Sequence, residues 1–188
     1  MSLLGAVLAG GRSSRMGMDK ATIEISGSSL LDRVAGALGE VASQVVVLGG
    51  EREGYESWPD QTAIPGPLAG VATALMRMTQ DRALVVAVDN AFVSADTLLH
   101  LSALESDLPV VPVDLAGVRQ VTCAIYPKGI AEIAWEEAEG GGSIQTLLDR
   151  VSFHPVTPDL WSGWGEDGRS WFSVDVPGDI ETGLLRFA

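Results

Sequence analysis

Between Gly10 and Lys20 the chain gathers three glycines (Gly10, Gly11, Gly17), two serines (Ser13, Ser14) and three cations (Arg12, Arg15, Lys20) into eleven residues. Glycine lets the backbone approach a ligand closely and turn successive N–H groups toward it, which makes a concavity for anions. The three cations add mobile positive charge around that concavity. In front of it runs an apolar stretch from Leu3 to Leu8 that reads as a buried strand. A strand ending in such a loop, early in an alternating α/β chain, is a place to hold phosphates. The spacing is not that of a P-loop, because Lys20 stands three residues after Gly17 and is followed by Ala21. It is not the dinucleotide pattern either, because Gly10 and Gly11 are adjacent.

Asp89 directly follows a second apolar run, at the end of a strand where open α/β sheets bind ligands. An oxygen donor there suits Mg²⁺, a hard cation often shared with substrate phosphates, and it equally suits a helix or turn cap. Asp175 precedes Pro177 and starts a turn before a last helix. Gly66-Pro67-Leu68 reads as a helix start, and Asp60 stands upstream of it. Arg119 is either a bidentate partner for a phosphate or a surface arginine. Gly140-Gly141-Gly142-Ser143 is an anion nest or a loop with Ser143 as a cap. Trp161 and Trp164 form a stacking platform, a hydrophobic lid or a subunit contact. Cys123 lies in an apolar run with no basic neighbour and reads as core.

The segment Leu8-Ala9-Gly10-Gly11-Arg12-Ser13-Ser14-Arg15-Met16-Gly17-Met18-Asp19-Lys20 resembles the signature of nucleotidyltransferases that join a nucleoside triphosphate to a phosphorylated acceptor. Within that group it is most similar to the molybdenum cofactor guanylyltransferases. Asp60 followed by Gly66-Pro67-Leu68-Ala69-Gly70, and Asp114-Leu115-Ala116-Gly117-Val118-Arg119 running on to Tyr126, resemble further segments of that family. The chain departs from the family with Val88 for a cysteine and Ala91 for a proline beside Asp89. Val176 stands for a threonine beside Asp175. The resemblance implies a Rossmann-like, three-layer α/β nucleotidyltransferase. It would move GMP from Mg²⁺-bound GTP to the phosphate of the molybdopterin cofactor and release pyrophosphate. Leu8, Ala9, Gly10, Gly11, Arg12, Ser13 and Gly17 would then hold the nucleotide with Lys20. Asp60, Gly66, Pro67 and Leu68 would hold its base. Arg15, Lys20 and Asp89 would act in catalysis, Asp89 and Asp175 would bind the metal, and Arg119 would face the acceptor. A cytidylyltransferase or another nucleotide transferase with a different phosphorylated acceptor is the neighbouring alternative. The altered residues also leave open a homologue that binds nucleotide without turnover.

The elements that must position these residues follow from composition and pattern. At 188 residues the chain is long enough for one domain with a sizeable core, and no long linker or repeat divides it. Hydrophobic residues make up 46%, yet no apolar run approaches the roughly 18 residues of a membrane span. The start of the chain lacks the basic region, apolar core and small-residue cleavage site of a signal peptide. One cysteine excludes an internal disulfide and suits a reducing cytoplasm, and two separated histidines leave no zinc spacing. A net charge of −13 argues against nucleic acid as a partner. Three of only twelve cations nevertheless fall between Arg12 and Lys20, which makes a local positive site plausible. A monomer or a weak homo-oligomer is expected.

Short β-branched runs predict buried strands at 3–9, 44–48, 83–88, 108–113 and 122–126, with a small strand at 22–25. Pro109 and Pro112 suggest an edge position for the fourth run. Helical spacing is seen from Ser29 to about Leu38 and over 68–78, 94–104, 129–138, 143–151 and 178–185. The alternation predicts a mostly parallel sheet covered on both faces.

Overall fold

The computed structural model describes residues 1–10 and 19–187. In chain order the elements are strand β1 (Leu3–Leu8), a 3-10 turn at Lys20–Thr22, the hairpin strands β2 (Glu24–Ile25) and β3 (Ser28–Ser29), helix α1 (Leu30–Gly39) and strands β4 (Gln44–Leu48) and β5 (Ser57–Trp58). Helix α2 (Pro67–Arg77), strand β6 (Arg82–Ala87), helix α3 (Ala95–Ala103) and strands β7 (Val110–Pro112) and β8 (Cys123–Pro127) follow. The chain continues with helices α4 (Ala131–Glu139) and α5 (Ile144–Arg150), strand β9 (His154–Val156), and helices α6 (Pro158–Ser162) and α7 (Pro177–Phe187).

Seven strands form one sheet in the order β5-β4-β1-β6-β8-β7-β9. Neighbours are parallel throughout, except that β8 runs antiparallel to β6 on one side and β7 on the other. Side chains alternate between faces along each strand. On β6, Leu84 and Val86 join a core with α1, α3 and α7, while Ala83, Val85 and Ala87 join another with α2, α4 and α5. Two apolar cores on opposite faces give the three-layer α/β architecture that the pattern predicts.

Two expectations need correction. The run with Pro109 and Pro112 does not form an edge. β7 lies between β8 and β9, and β9, too short to register as a periodic run, takes the border. Proline is tolerated inside because β8 pairs with β7 at Val110↔Ile125, so the missing N–H of Pro112 faces no ladder partner there. The Pro112 carbonyl instead accepts from the Gln120 N–H at 2.8 Å. The small strand expected at 22–25 shortens to Glu24–Ile25, because Asp19 caps a 3-10 turn that takes in Thr22.

Candidate functional site

The carboxyl ends of β1 and β6, neighbours in the sheet, open onto a cleft of about 370 Å³. Leu8, Ala9 and Gly10 line it from β1, and Asp89 lines it from the turn after β6. Gly10 has a packing reason to be glycine. A Cβ there would lie 2.9 Å from the Cα of Gly49, which leaves β4 at a positive φ of 87°. The two neighbouring strands therefore end by touching backbone to backbone, and a side chain on either would push the loop away from the sheet.

Lys20 lines the same cleft from the 3-10 turn Lys20–Thr22. Asp19 caps its turn by accepting from the Ala21 N–H at 3.0 Å. The Lys20 ammonium then donates to Asp89 Oδ2 at 3.1 Å and to Asp175 Oδ1 at 2.8 Å. Burial works against its charge, but the hydrogen bond to Asp175 and the two carboxylates outweigh burial and raise its pKa above the ordinary value. Asp175 comes from the far end of the chain because the preceding segment is tied to the turn after β6. The Val174 N–H donates to the Asp89 carbonyl at 2.9 Å. The Asn90 amide donates to the Ser170 carbonyl at 3.2 Å. Asp179 accepts from the N–H groups of Asp175 and Val176, which fixes the start of α7. Two carboxylates thus converge on one cation at the cleft, a donor set of hard oxygens that fits Mg²⁺ in place of or beside the ammonium. Among the described residues no cluster of three or more metal-ligating side chains forms.

A second pocket of about 310 Å³ adjoins the first through Pro67 and Thr122, and Gly66 and Leu68 line it with Gly141 and Ser143. Ser143 is a cap, and it forms a capping box with Thr146 at the start of α5. Asp60 is in neither lining. It is half-buried; burial raises its pKa, and the Gly66 N–H donates to its carboxylate. Its Oδ1 is buried with no partner among the described residues.

Arg119 is not brought into the cleft. Its guanidinium pairs with Asp149 of α5 at 2.8 Å and lies over the Phe153 ring. The bridge between Val113 and Arg119 holds its backbone beside the end of β7. Trp161 belongs to α6 rather than to a polar loop; it is 4% exposed, and its indole N–H donates to the Val113 carbonyl at 2.9 Å. Trp164 stacks on His100 with centroids 5.1 Å apart. The tryptophan that reaches the cleft is Trp171, which sequence reading passed over. Cys123 is fully buried, and burial drives its thiol pKa well up, so it is core. Gly11, Arg12, Ser13, Arg15 and Gly17 lie outside the described residues.

Sequence reading also missed Arg52, two residues past the Gly49-Gly50 pair that follows β4. Its guanidinium donates to the Ala9 carbonyl at 3.1 Å and pairs with Asp19 at 2.9 Å. A cation just beyond the carboxyl end of a strand neighbouring β1 was the available signal.

Comparison with known proteins gives the family and the fold. The model of the MobA-like NTP transferase domain matches residues 5–155. A probable molybdenum cofactor guanylyltransferase of Pelotomaculum thermopropionicum is 35% identical over 94% of this chain and 89% of its own. A molybdenum cofactor guanylyltransferase of Rhizobium rhizogenes is 33% identical over 96% of this chain and 73% of its own. In structure the chain is similar to molybdopterin-guanine dinucleotide biosynthesis protein A of Archaeoglobus fulgidus, with a TM-score of 0.82 and 22% identity over 96% of both chains. It shares its fold with 2-C-methyl-D-erythritol 4-phosphate cytidylyltransferase of Thermus thermophilus, at a TM-score of 0.69 and 18% identity over 98% of both. The family match running from β1 through β9, with relatives 35% and 33% identical along nearly the whole chain, makes this chain a nucleotidyltransferase of the MobA-like NTP transferase family.

Proposed function

We propose that this enzyme transfers GMP from GTP to the phosphate of the molybdopterin cofactor and releases pyrophosphate. The observation that carries the reading is Lys20, held between Asp89 and Asp175 at the mouth of a cleft that opens past Pro67 into a second pocket. A phosphate monoester is already nucleophilic near neutral pH, so no covalent enzyme intermediate is needed. Its oxygen bonds to the α-phosphorus of GTP as the bond from that phosphorus to the bridging oxygen of the β-phosphate breaks. Catalysis then rests on alignment and on neutralising charge.

In this reading Gly10 and the loop after it receive the triphosphate, and the Lys20 ammonium offsets charge gathering on the α-phosphate and the departing pyrophosphate. Arg15 joins Lys20 in that task, and Gly11, Arg12, Ser13 and Gly17 complete the loop. Asp89 and Asp175 would hold Mg²⁺, which supplies further charge neutralisation on the phosphate oxygens. Leu8 and Ala9 form the floor. Asp60 is the acceptor proposed for guanine; it lines neither pocket and its Oδ1 is covered, so that contact requires the residues over it to move. Arg119 is proposed to face the acceptor, for which its guanidinium would have to leave Asp149.

Melting curves with GTP, CTP, ATP and UTP, each with and without Mg²⁺, test the reading. Ligand at 100 times its Kd stabilises a fold by about 2.7 kcal/mol. A shift with GTP above the others, larger with Mg²⁺ and reduced in Asp60→Ala, is the expected result. A CTP shift instead would keep the chemistry and replace the product. No shift with any nucleotide would overturn the reading.

A further inference from the structure

We infer that Arg52 is a positioning residue that ties the end of β1 to Asp19 and, through Asp19, sets the placement of Lys20. The inference rests on the guanylyl-transfer reading and adds to it a residue from outside the signature segment. The chain leaves β1 at Ala9 and returns at Asp19, so these two residues are the posts between which the glycine-rich loop is strung. One guanidinium nitrogen of Arg52 holds both posts: it donates to the Ala9 carbonyl at 3.1 Å and pairs with Asp19 Oδ2 at 2.9 Å. A second terminal nitrogen donates to the Glu51 carbonyl at 3.1 Å.

The other side of Asp19 completes the connection. Its Oδ1 accepts from the Ala21 N–H at 3.0 Å, and its carbonyl accepts from the Thr22 N–H and hydroxyl. Those bonds build the turn that aims Lys20 at Asp89 and Asp175. One carboxylate therefore uses one oxygen to hold the lysine's turn and the other to hold Arg52. Arg52 in turn is anchored on the sheet, because its own N–H donates to the Ser57 hydroxyl at 3.0 Å, at the first residue of β5. Its Nε is buried without a partner among the described residues, so the terminal nitrogens carry the orientation. A planar fork can hold a carbonyl and a carboxylate together; a lysine ammonium on a flexible stem fixes such an arrangement less firmly.

The experiment compares the wild-type protein with Arg52→Met, Arg52→Lys, Asp19→Asn and the double variant Arg52→Met/Asp19→Asn. Calorimetry measures Mg²⁺-GTP binding, and pyrophosphate release with the molybdopterin acceptor gives kcat and the acceptor KM. Asp19→Asn keeps an oxygen for the Ala21 N–H and removes the charge that Arg52 holds, so it tests the link without opening the turn. Arg52→Met is expected to lower kcat by about a hundredfold, the scale of a misplacement of roughly an ångström, and to weaken GTP while leaving the acceptor KM unchanged. Arg52→Lys recovers part of the loss. Asp19→Asn repeats it, and the double variant is no worse than the worse single, as for two residues acting through one contact. Wild-type kcat and GTP affinity in Arg52→Met would overturn the inference, and so would losses that multiply in the double variant. A wild-type protein that binds no nucleotide would overturn the guanylyl-transfer reading itself, and this inference with it, before any substitution is compared.

Discussion

At the scale of a single residue, the proposed chemistry rests on Lys20. It is one of only two lysines in a chain of net charge −13, and its ammonium is spent on two carboxylates that would otherwise repel a triphosphate. Lys20→Ala is expected to reduce pyrophosphate release by at least about a hundredfold, the scale of losing one preorganised electrostatic contact. The fold should stay intact, because this ion pair lies at the cleft with Asp175 about half exposed and is no part of either apolar core. Asp89→Ala should also abolish turnover while leaving the fold intact, although Val88 and Ala91 stand where the family carries cysteine and proline. Neither departure removes the carboxylate: Val88 and Ala91 are buried in the core beside it, and the Asp89 carbonyl still receives the Val174 N–H. Near-normal turnover in either variant would take that residue out of the mechanism. That Lys20 and Asp89 share one cleft was legible because Lys20 closes the glycine- and cation-rich segment after β1 and Asp89 stands two residues past β6. Arg52 was not read, because its partners Ala9 and Asp19 lie 43 and 33 positions away, and its place just past β4 gives only the strand end and neither partner.

At the scale of elements, helix α1 shows how caps written in the sequence become tertiary links. Ser29 accepts from the Asp32 N–H at 3.0 Å and donates to the Asp32 carboxylate, and that carboxylate also accepts from the Tyr55 hydroxyl. The cap was readable from Ser29 before an apolar stripe. Tyr55 was not, since it arrives from the connection between β4 and β5. Ser29→Ala should cost about 1 kcal/mol in chemical denaturation. Burial, then the hydrogen bond to Asp32, pushes the Tyr55 pKa up from its ordinary 10 to about 12. A folded-state pKa above the unfolded one means that the contribution is full below pH 10 and is lost as pH rises toward 12. Tyr55→Phe should therefore flatten the stability profile between those values; an unchanged profile would show that the phenol makes no such link. Hydrogen bonds from Ser29 and Tyr55 lower the Asp32 pKa, so its share is present above the ordinary carboxylate range and fades as acid protonates it.

Across the whole molecule, the sheet with two faces is what brings distant segments to one end. Leu84 is fully buried in the centre of β6, and Leu84→Ala should cost about 2–5 kcal/mol through lost transfer energy and the cavity left behind. A change well below that range would mean that the α1–α3 face collapses around the gap. The sequence by itself determined the alternation of strands and helices, the two-faced burial, the loop after β1 and the aspartate after β6. Each of these is a local matter of side-chain period, strand-end position or glycine spacing, and so it is written in neighbouring residues. Only the tertiary structure decided that Asp175 meets Lys20 across 155 positions, that Arg52 spans the posts of the loop, and that Arg119 turns to Asp149. It also decided that β7 lies inside the sheet despite its prolines, and that Trp171 rather than Trp161 reaches the cleft. Such outcomes depend on which strand lands beside which, and on the packing of segments that share no local pattern. That order is set by the summed burial of the two cores rather than by any one stretch of chain.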